Sequence, residues 1–146
     1  MFTVESSEFI NRSVEEVFSF ISDKENLPLW ASGILSAKQT SEGPKAVGTT
    51  FLVVVQAPGQ KVETKYSYTT YEKNKTFAGM GVAEPMMVFN DRYQFELGDN
   101  GTYVKIRLEI SPRGFLKLLQ PLMRLMIGNT IRAELAKAKK VLESRA

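Results

Sequence analysis

The chain has 146 residues, of which 43% are hydrophobic and 24% charged, and its formal net charge is +3 at pH 7. This length and composition fit one domain, residues 1–146, with a real core, and they argue against a disordered chain. Cysteine and histidine are both absent, which excludes disulfides, thiolate nucleophiles, zinc–thiolate sites and any histidine-dependent triad. We therefore expect no metal site and no cofactor.

The first part of the chain predicts one strand followed by two short helices. Phe2–Ile10 has the apolar content of a strand. Ser13, with Glu16 three residues later, is the N-terminal signature of a helix that ends near Ser22. Asn26–Trp30 predicts a second short helical turn.

From residue 34 onward the pattern changes to strands joined by short turns, which predicts an antiparallel meander. Pro58–Gly59 and Asp99–Gly101 mark two of these turns. The predicted strands are Ile34–Gln39, Thr49–Ala57, Val62–Glu72, Thr76–Val82, Met86–Leu97 and Tyr103–Ile110.

After Ser111–Gly114 the apolar residues return to helical spacing, which continues to about residue 145. Proline is costly deep inside a helix. Pro121 therefore predicts either a kink or a short helix up to Gln120 followed by a long one. Strands and helices occupy separate stretches of the sequence, which is typical of an α+β fold.

Several local passages resemble the START-like, or helix-grip, superfamily, which includes polyketide cyclase/dehydrases and Bet v 1-type lipid carriers. Val17–Asp23, followed by Asn26–Pro28 and Trp30, is similar to the first helix of that family and the passage after it, and Gly48–Phe51 is similar to one of its strand entries. The resemblance covers essentially the whole chain. It implies a curved antiparallel sheet of six to seven strands around a long C-terminal helix, with two short helices after the first strand. It also implies a cavity for an apolar molecule, without naming the ligand.

Alternation along the strands predicts which side chains face the concave side of the sheet. That face is predicted to carry Phe51, Val53 and Val55, then Val62, Thr64, Tyr66 and Tyr68, then Phe89, Asp91, Tyr93, Phe95 and Leu97. Asp91 interrupts this apolar surface, and a buried carboxylate has to be paired, hydrated or protonated. It is either satisfied near the rim by a tyrosine hydroxyl or a helix N-terminus, or a polar anchor or acid–base group in the cavity, or turned outward by a bulge.

The candidate ligand-binding residues combine this inner face with the last helix. They are Trp30, Phe51, Tyr66, Tyr68, Phe89, Asp91, Tyr93, Met123, Met126 and Ile127, and Asp91 is the one candidate catalytic residue. Tyr66 and Tyr68 either find polar partners in the core or hold a ligand hydroxyl or carbonyl. Trp30 either caps the cavity or seals the core. The methionines form either a core stripe or a deformable lining.

Three glycines stand out because they interrupt regular elements. Gly79 and Gly81 weaken the strand before Ala83–Pro85, and with the methionines beside it this hairpin is a candidate entry gate. Gly128, in the middle of the last helix, either permits close approach of the sheet or leaves room for a ligand.

The location and partners follow from what the sequence lacks. Met1–Glu5 has neither the basic flank nor the apolar core of a secretion signal, and Phe51–Val55, one of the longest apolar runs, is too short to cross a bilayer. We expect a cytoplasmic protein without an integral membrane segment. No basic stripe interleaves with aromatic residues, so we expect no nucleic-acid partner. We expect a monomer or a weak homodimer.

Three functions remain open. The leading hypothesis is binding or carriage of a hydrophobic or amphipathic small molecule, lipid-like or polyketide-like. The second is a polyketide cyclase or dehydratase in which Asp91 and Tyr66, Tyr68 or Tyr93 move protons. The third is a module that contacts a protein or a membrane. The absence of histidine and cysteine favours holding a ligand over transforming it.

Overall fold

A computed structural model describes residues 1–145, which form seven strands, three α-helices and two 3-10 helices. The strands are β1 (Phe2–Ile10), β2 (Ile34–Gln39), β3 (Thr50–Ala57), β4 (Gln60–Glu72), β5 (Thr76–Ala83), β6 (Met87–Gly98) and β7 (Gly101–Pro112). The helices are α1 (Val14–Ser22), α2 (Leu27–Trp30) and α3 (Gln120–Glu143), with 3-10 helices at Lys24–Asn26 and Gly114–Leu119. The predicted strands are all present, because alternation and turn residues agree along this part of the chain.

The seven strands form one antiparallel sheet in the order β1-β7-β6-β5-β4-β3-β2. Strands β2 to β7 follow one another as a meander, and β1 closes the sheet beside β7. The long helix α3 packs across this sheet, with its main contacts on β1. The α+β helix-grip architecture is thereby confirmed.

The segment after β1 is organised by two side-chain caps. The Ser13 hydroxyl accepts a hydrogen bond from the backbone N–H of Glu16 at 3.3 Å and begins α1. The Asp23 carboxylate then accepts one from the backbone N–H of Glu25 at 3.0 Å and begins the 3-10 turn. These caps satisfy backbone donors that a helix start leaves unpaired. They also place Lys24 directly after the buried face of α1.

Pro121 lies in the first turn of α3, where its missing N–H costs little. The prediction of a short helix followed by a long one is therefore confirmed. The buried side chains of α3 all lie from its midpoint onward, and they are Ile131, Leu135, Ala138 and Leu142. In its first half, Met123 and Ile127 are only partly buried. No helix within residues 1–145 combines the length and apolarity needed to cross a bilayer.

The C-terminal end of α3 is tied to the turn between β1 and α1 by polar contacts. The Glu143 carboxylate accepts hydrogen bonds from the backbone N–H of Asn11 at 2.8 Å and from Lys139 Nζ at 3.0 Å. Lys139 Nζ also donates to the carbonyl of Phe9 at 2.6 Å, and Arg12 donates to the carbonyl of Glu143 at 3.0 Å. The C-terminal end of α3 is therefore fixed by hydrogen bonds. The N-terminal part of the helix has fewer buried apolar side chains than the C-terminal part.

The predicted inner face is confirmed along most of its length, with one exception. Leu97 is 79% exposed, although it shares the alternation of Phe95. Phe18 of α1 packs edge-on against Phe95, with ring centroids 5.1 Å apart, while Leu97 makes no part of the core cluster. Leu97 lies at the end of the β6–β7 hairpin, beyond the residues that α1 covers, and its assignment to the inner face was wrong for that reason.

Candidate functional site

The concave side of the sheet and the helices above it line a cavity of about 200 Å³. Its apolar wall includes Val53, Val55, Phe89, Ile106, Leu108 and Ile131. Its polar lining consists of Lys24, Thr64, Tyr66, Asp91, Tyr93 and Glu134. Apolar walls with a few convergent polar groups are the usual construction of a small-molecule site.

Asp91 and Lys24 form an ion pair that is almost fully withdrawn from water. Lys24 Nζ lies 3.1 Å from Asp91 Oδ2, and the two side chains are 5% and 4% exposed. The Tyr66 hydroxyl donates a hydrogen bond of 2.7 Å to Asp91 Oδ1. Both carboxylate oxygens are thus occupied, which offsets part of the cost of burying the charge. Asp91 is turned inward, so the alternative in which a bulge turns it outward does not hold. The Asp91 carboxylate accepts a hydrogen bond from a tyrosine hydroxyl and also lines the cavity.

Three aromatic rings lie close to the Lys24 ammonium. Its Nζ lies 4.4 Å from the centroid of the Tyr66 ring, 5.1 Å from that of Tyr93 and 5.5 Å from that of Phe77. Ring faces attract a cation at such distances, most strongly where water is excluded. The protein therefore stabilises a buried positive charge with one carboxylate and three rings.

The rings of Tyr66 and Phe89 fit against β5 because glycines occupy the two positions beneath them. A Cβ built on Gly79 would lie 2.2 Å from Tyr66 Cζ and 2.7 Å from the backbone oxygen of Ser67. A Cβ on Gly81 would lie 2.1 Å from Phe89 Cζ. Such distances are impossible for real atoms, so Gly79 is required for the Tyr66 ring to reach Asp91. These glycines make room for the site.

Three buried tyrosines keep their protons more tightly than a free tyrosine does, and two of them, Tyr66 and Tyr68, donate hydrogen bonds. Burial, and next the negative charge of Asp91, raise the pKa of Tyr66 and of Tyr93 well above the ordinary value. Burial also raises the pKa of Tyr68, whose hydroxyl donates to the backbone carbonyl of Ser22. Tyr68 thus joins β4 to the end of α1 and has a core role, whereas Tyr66 and Tyr93 line the cavity.

Glu134 is the second carboxylate of the cavity and comes from α3. Its Oε2 accepts hydrogen bonds from the backbone N–H of Ser32 at 2.9 Å and from the Ser32 hydroxyl at 3.1 Å. Burial raises the pKa of Glu134, and the Ser32 hydrogen bonds and the charge of Lys24 offset only part of this rise. Glu134 therefore holds its proton more tightly in the folded protein than in the unfolded chain.

Glu134→Gln is expected to make the protein more stable at pH 7. A group with a raised pKa in the folded state lowers stability as the pH rises from the ordinary value of 4.5 through the raised pKa. Glutamine cannot ionise, and its amide oxygen still accepts the two Ser32 hydrogen bonds. Urea unfolding should show the gain at pH 7 and its disappearance at about pH 4. A variant that is less stable at both pH values would contradict this assignment.

The structure brings four of the predicted binding residues together and separates the others. Tyr66, Phe89, Asp91 and Tyr93 line the cavity. Trp30, Phe51 and Tyr68 are buried core residues outside its lining, and Met123 and Ile127 are half-buried against the core. Met126 is 57% exposed and points away from the core. A ligand contact by any of these residues remains a prediction.

Trp30 and the proposed gate hairpin are two further features that the sequence singled out. Trp30 is buried, and its indole Nε1 has no hydrogen-bond partner within residues 1–145. In the proposed gate hairpin, Met80 faces outward and is exposed, while Gly79 and Gly81 are covered by rings. A gating role for this hairpin remains a prediction.

Sequence reasoning missed Lys24 and Glu134. Lys24 stands in a charged turn next to Asp23 and Glu25, where a lysine is ordinarily solvated. The one available signal was Asp91, which required a buried cation or donor but did not say where in the chain it lies. Glu134 lies beside the helix face formed by Ile131 and Leu135 and not at its centre. Helical spacing alone therefore did not place Glu134 at the cavity. Within residues 1–145 there is no group of three or more acidic side chains suited to hold a metal ion.

Comparison with known proteins gives one match in sequence. The model of the family described as polyketide cyclase / dehydrase and lipid transport matches residues 1–143. No curated protein matches the chain.

Solved structures of similar fold cover nearly the whole chain at low sequence identity. A protein from Thermus thermophilus is 16% identical, with a TM-score of 0.82 and 98% of each chain covered. A START superfamily protein from Mycobacterium smegmatis is 19% identical, with a TM-score of 0.76 and 97% of each chain covered. The Zhui aromatase/cyclase from a Streptomyces species is 12% identical, with a TM-score of 0.77, covering 99% of this chain and 94% of that one. These likenesses concern the fold.

Proposed function

This chain belongs to the polyketide cyclase / dehydrase and lipid transport family, and from that membership and its cavity we propose that it binds a small amphipathic molecule. The observation that carries the proposal is the lining of the cavity, in which Lys24, Asp91 and Tyr66 stand opposite an apolar wall. The apolar part of the ligand contacts residues such as Phe89 and Leu108. Its hydrogen-bonding group, a hydroxyl, carbonyl or carboxylate, points toward the polar group of side chains.

The size of the cavity limits the ligand. About 200 Å³ is the room of roughly seven water molecules, and it lies below the roughly 300–1,000 Å³ typical of pockets for drug-sized molecules. A short acyl chain or a single ring therefore fits within the cavity. A larger ligand requires side chains of the lining to move.

Titration with hexanoic acid, decanoic acid and the polyphenol naringenin, followed by two-dimensional NMR, tests the proposal. At least one probe should bind with a micromolar dissociation constant and shift the signals of cavity residues. Leu108→Trp fills the cavity from β7 and should weaken binding at least about tenfold. Lys105→Trp, on the outer face of the same strand, is the matched control and should bind like the original protein. If no probe binds, and native mass spectrometry of the freshly isolated protein shows only the bare chain, the proposal fails.

A cyclase or dehydratase activity is the second candidate, and the presence of two carboxylates in one cavity favours it. In a dehydration, Glu134 in its ionised form takes a proton from the carbon next to a carbonyl, and a donor such as the Lys24 ammonium protonates the departing hydroxyl as water. The buried tyrosines keep their protons and serve as donors. Turnover of a β-hydroxy ketone that is lost in Glu134→Gln, with binding retained, would support this activity. Equal turnover in the variant would remove Glu134 from the mechanism.

A further inference from the structure

The segment that leads into α3 exposes an unusual number of large apolar side chains. Leu118 is 84% exposed and Phe115 is 73% exposed. Of the thirteen large hydrophobic residues that are exposed within residues 1–145, six fall within the twelve residues from 115 to 126. We call these six the apolar face, and they are Phe115, Leu118, Leu119, Leu122, Leu125 and Met126. An apolar surface of this density is typical of an interaction site.

The charged residues in the sequence segment that carries the apolar face are all basic. Residues 113–133 contain four basic residues, Arg113, Lys117, Arg124 and Arg132, and no Asp or Glu. Arg113 pairs with Glu84 at 3.5 Å. Lys117 and Arg124 form no ion pair within residues 1–145. Their charges therefore remain available to an anionic partner.

A basic groove adjoins the apolar face. Arg107, Arg124 and Arg132 line an open groove of about 590 Å³, and Leu125 of the apolar face belongs to the same lining. Arg107 pairs with Glu5, the one carboxylate in this lining, at 3.6 Å and with Glu109 at 3.4 Å. Arg124 and Arg132 form no ion pair within the described residues. The groove thus keeps two unpaired arginines, and arginine is the side chain best suited to phosphate oxygens.

We propose that this face docks the protein on the surface of an anionic lipid bilayer. A bilayer offers apolar chains to the leucines and phosphate or carboxylate groups to the arginines within a few ångströms of each other. A second copy of the chain is a poorer partner, because a two-fold interface would place the same basic residues opposite one another. The six apolar side chains enter the interfacial region, and Arg124 and Arg132 contact lipid head groups.

Vesicle sedimentation tests this docking. Vesicles of phosphatidylcholine with about 30% phosphatidylserine should bind the protein at about 50 mM salt, and binding should fall as salt rises to about 500 mM. Vesicles of phosphatidylcholine alone should bind it at least about tenfold more weakly.

Two double variants separate the apolar and the basic contributions. Leu118→Gln with Leu125→Gln should weaken binding to the anionic vesicles at least about tenfold. Lys117→Glu with Arg124→Glu should do the same and also remove the salt dependence. The matched controls are Leu97→Gln and Lys61→Glu, which change an exposed leucine and an exposed lysine on other surfaces and should bind like the original protein.

Several results would overturn the proposal. They are failure to bind anionic vesicles at low salt, equal binding to neutral vesicles, and an equal loss in the control variants. A dimer in sedimentation velocity that dissociates in the leucine variant would show that the face binds a second copy instead. Small-molecule binding in the cavity is measured without vesicles, so failure of the docking proposal and failure of the proposed function give different results.

Discussion

Lys24→Met is expected to lower the free energy of unfolding by about 3–5 kcal/mol, because it leaves the charge of Asp91 buried without its partner. The two side chains are 5% and 4% exposed, so water cannot replace the ammonium without opening the site. Only the hydrogen bond from Tyr66 to Asp91 would remain. Urea unfolding at pH 7, monitored by circular dichroism, measures the change.

Two further variants show whether the loss comes from the unpaired charge. Asp91→Asn in the Lys24→Met background removes that charge and keeps an acceptor for the Tyr66 hydroxyl, so it should restore most of the lost stability. Lys61→Met, at an exposed position of β4, should change stability by less than about 0.5 kcal/mol. A Lys24→Met protein as stable as the Lys61→Met control would show that the ion pair is solvated.

Gly79→Ala is expected to destabilise the protein by about 3 kcal/mol, although it adds a single methyl group. The new Cβ would overlap the Tyr66 ring at 2.2 Å and the backbone oxygen of Ser67 at 2.7 Å. The ring can move only by leaving Asp91, and the backbone oxygen is held within the β4–β5 part of the sheet. The cost combines overpacking with the loss of a hydrogen bond to a charged group.

Gly128→Ala is the matched control for this substitution. A Cβ at Gly128 would meet only Val4 Cγ1, at an ordinary contact distance of 3.7 Å. Because Gly128 lies in the middle of α3, alanine should raise the free energy of unfolding by up to about 1 kcal/mol. Thermal and urea unfolding of the two variants should therefore shift in opposite directions. A similar small change in both would mean that Tyr66 does not need the space above Gly79. Gly128 was expected either to permit close approach of the sheet or to leave room for a ligand. Close approach of the sheet is limited to this single contact with Val4.

Much of the fold could be predicted from the sequence because its signals are local. Ser13 begins α1, the Asp99–Gly101 turn marks the last hairpin, and Pro121 marks the start of α3. Alternation in β4 correctly placed Tyr66 and Tyr68 on the inner face. Alternation fails at Leu97, since a strand can extend beyond the helices that cover it.

The site itself could be predicted only in part, because its partners are distant in sequence. Asp91 was recognisable as a carboxylate on an apolar face, but Lys24 is 67 positions away from it in the chain. Nothing local distinguishes Lys24 from the solvated charges of a turn. Glu134 and Ser32 are 102 positions apart, and their contact depends on where α3 crosses the sheet. Packing decides such pairings.

The uneven attachment of α3 has a consequence for local opening of the structure. Its end is fastened to the β1–α1 turn through Glu143 and Lys139, while its beginning rests on Met123 and Ile127. Segments with few buried contacts open far more often than the global unfolding equilibrium permits. The amide protons of residues 120–128 should therefore exchange with solvent faster than those of residues 131–142. The first turns of α3 are thus expected to open as a separate unit while the rest of the fold stays closed.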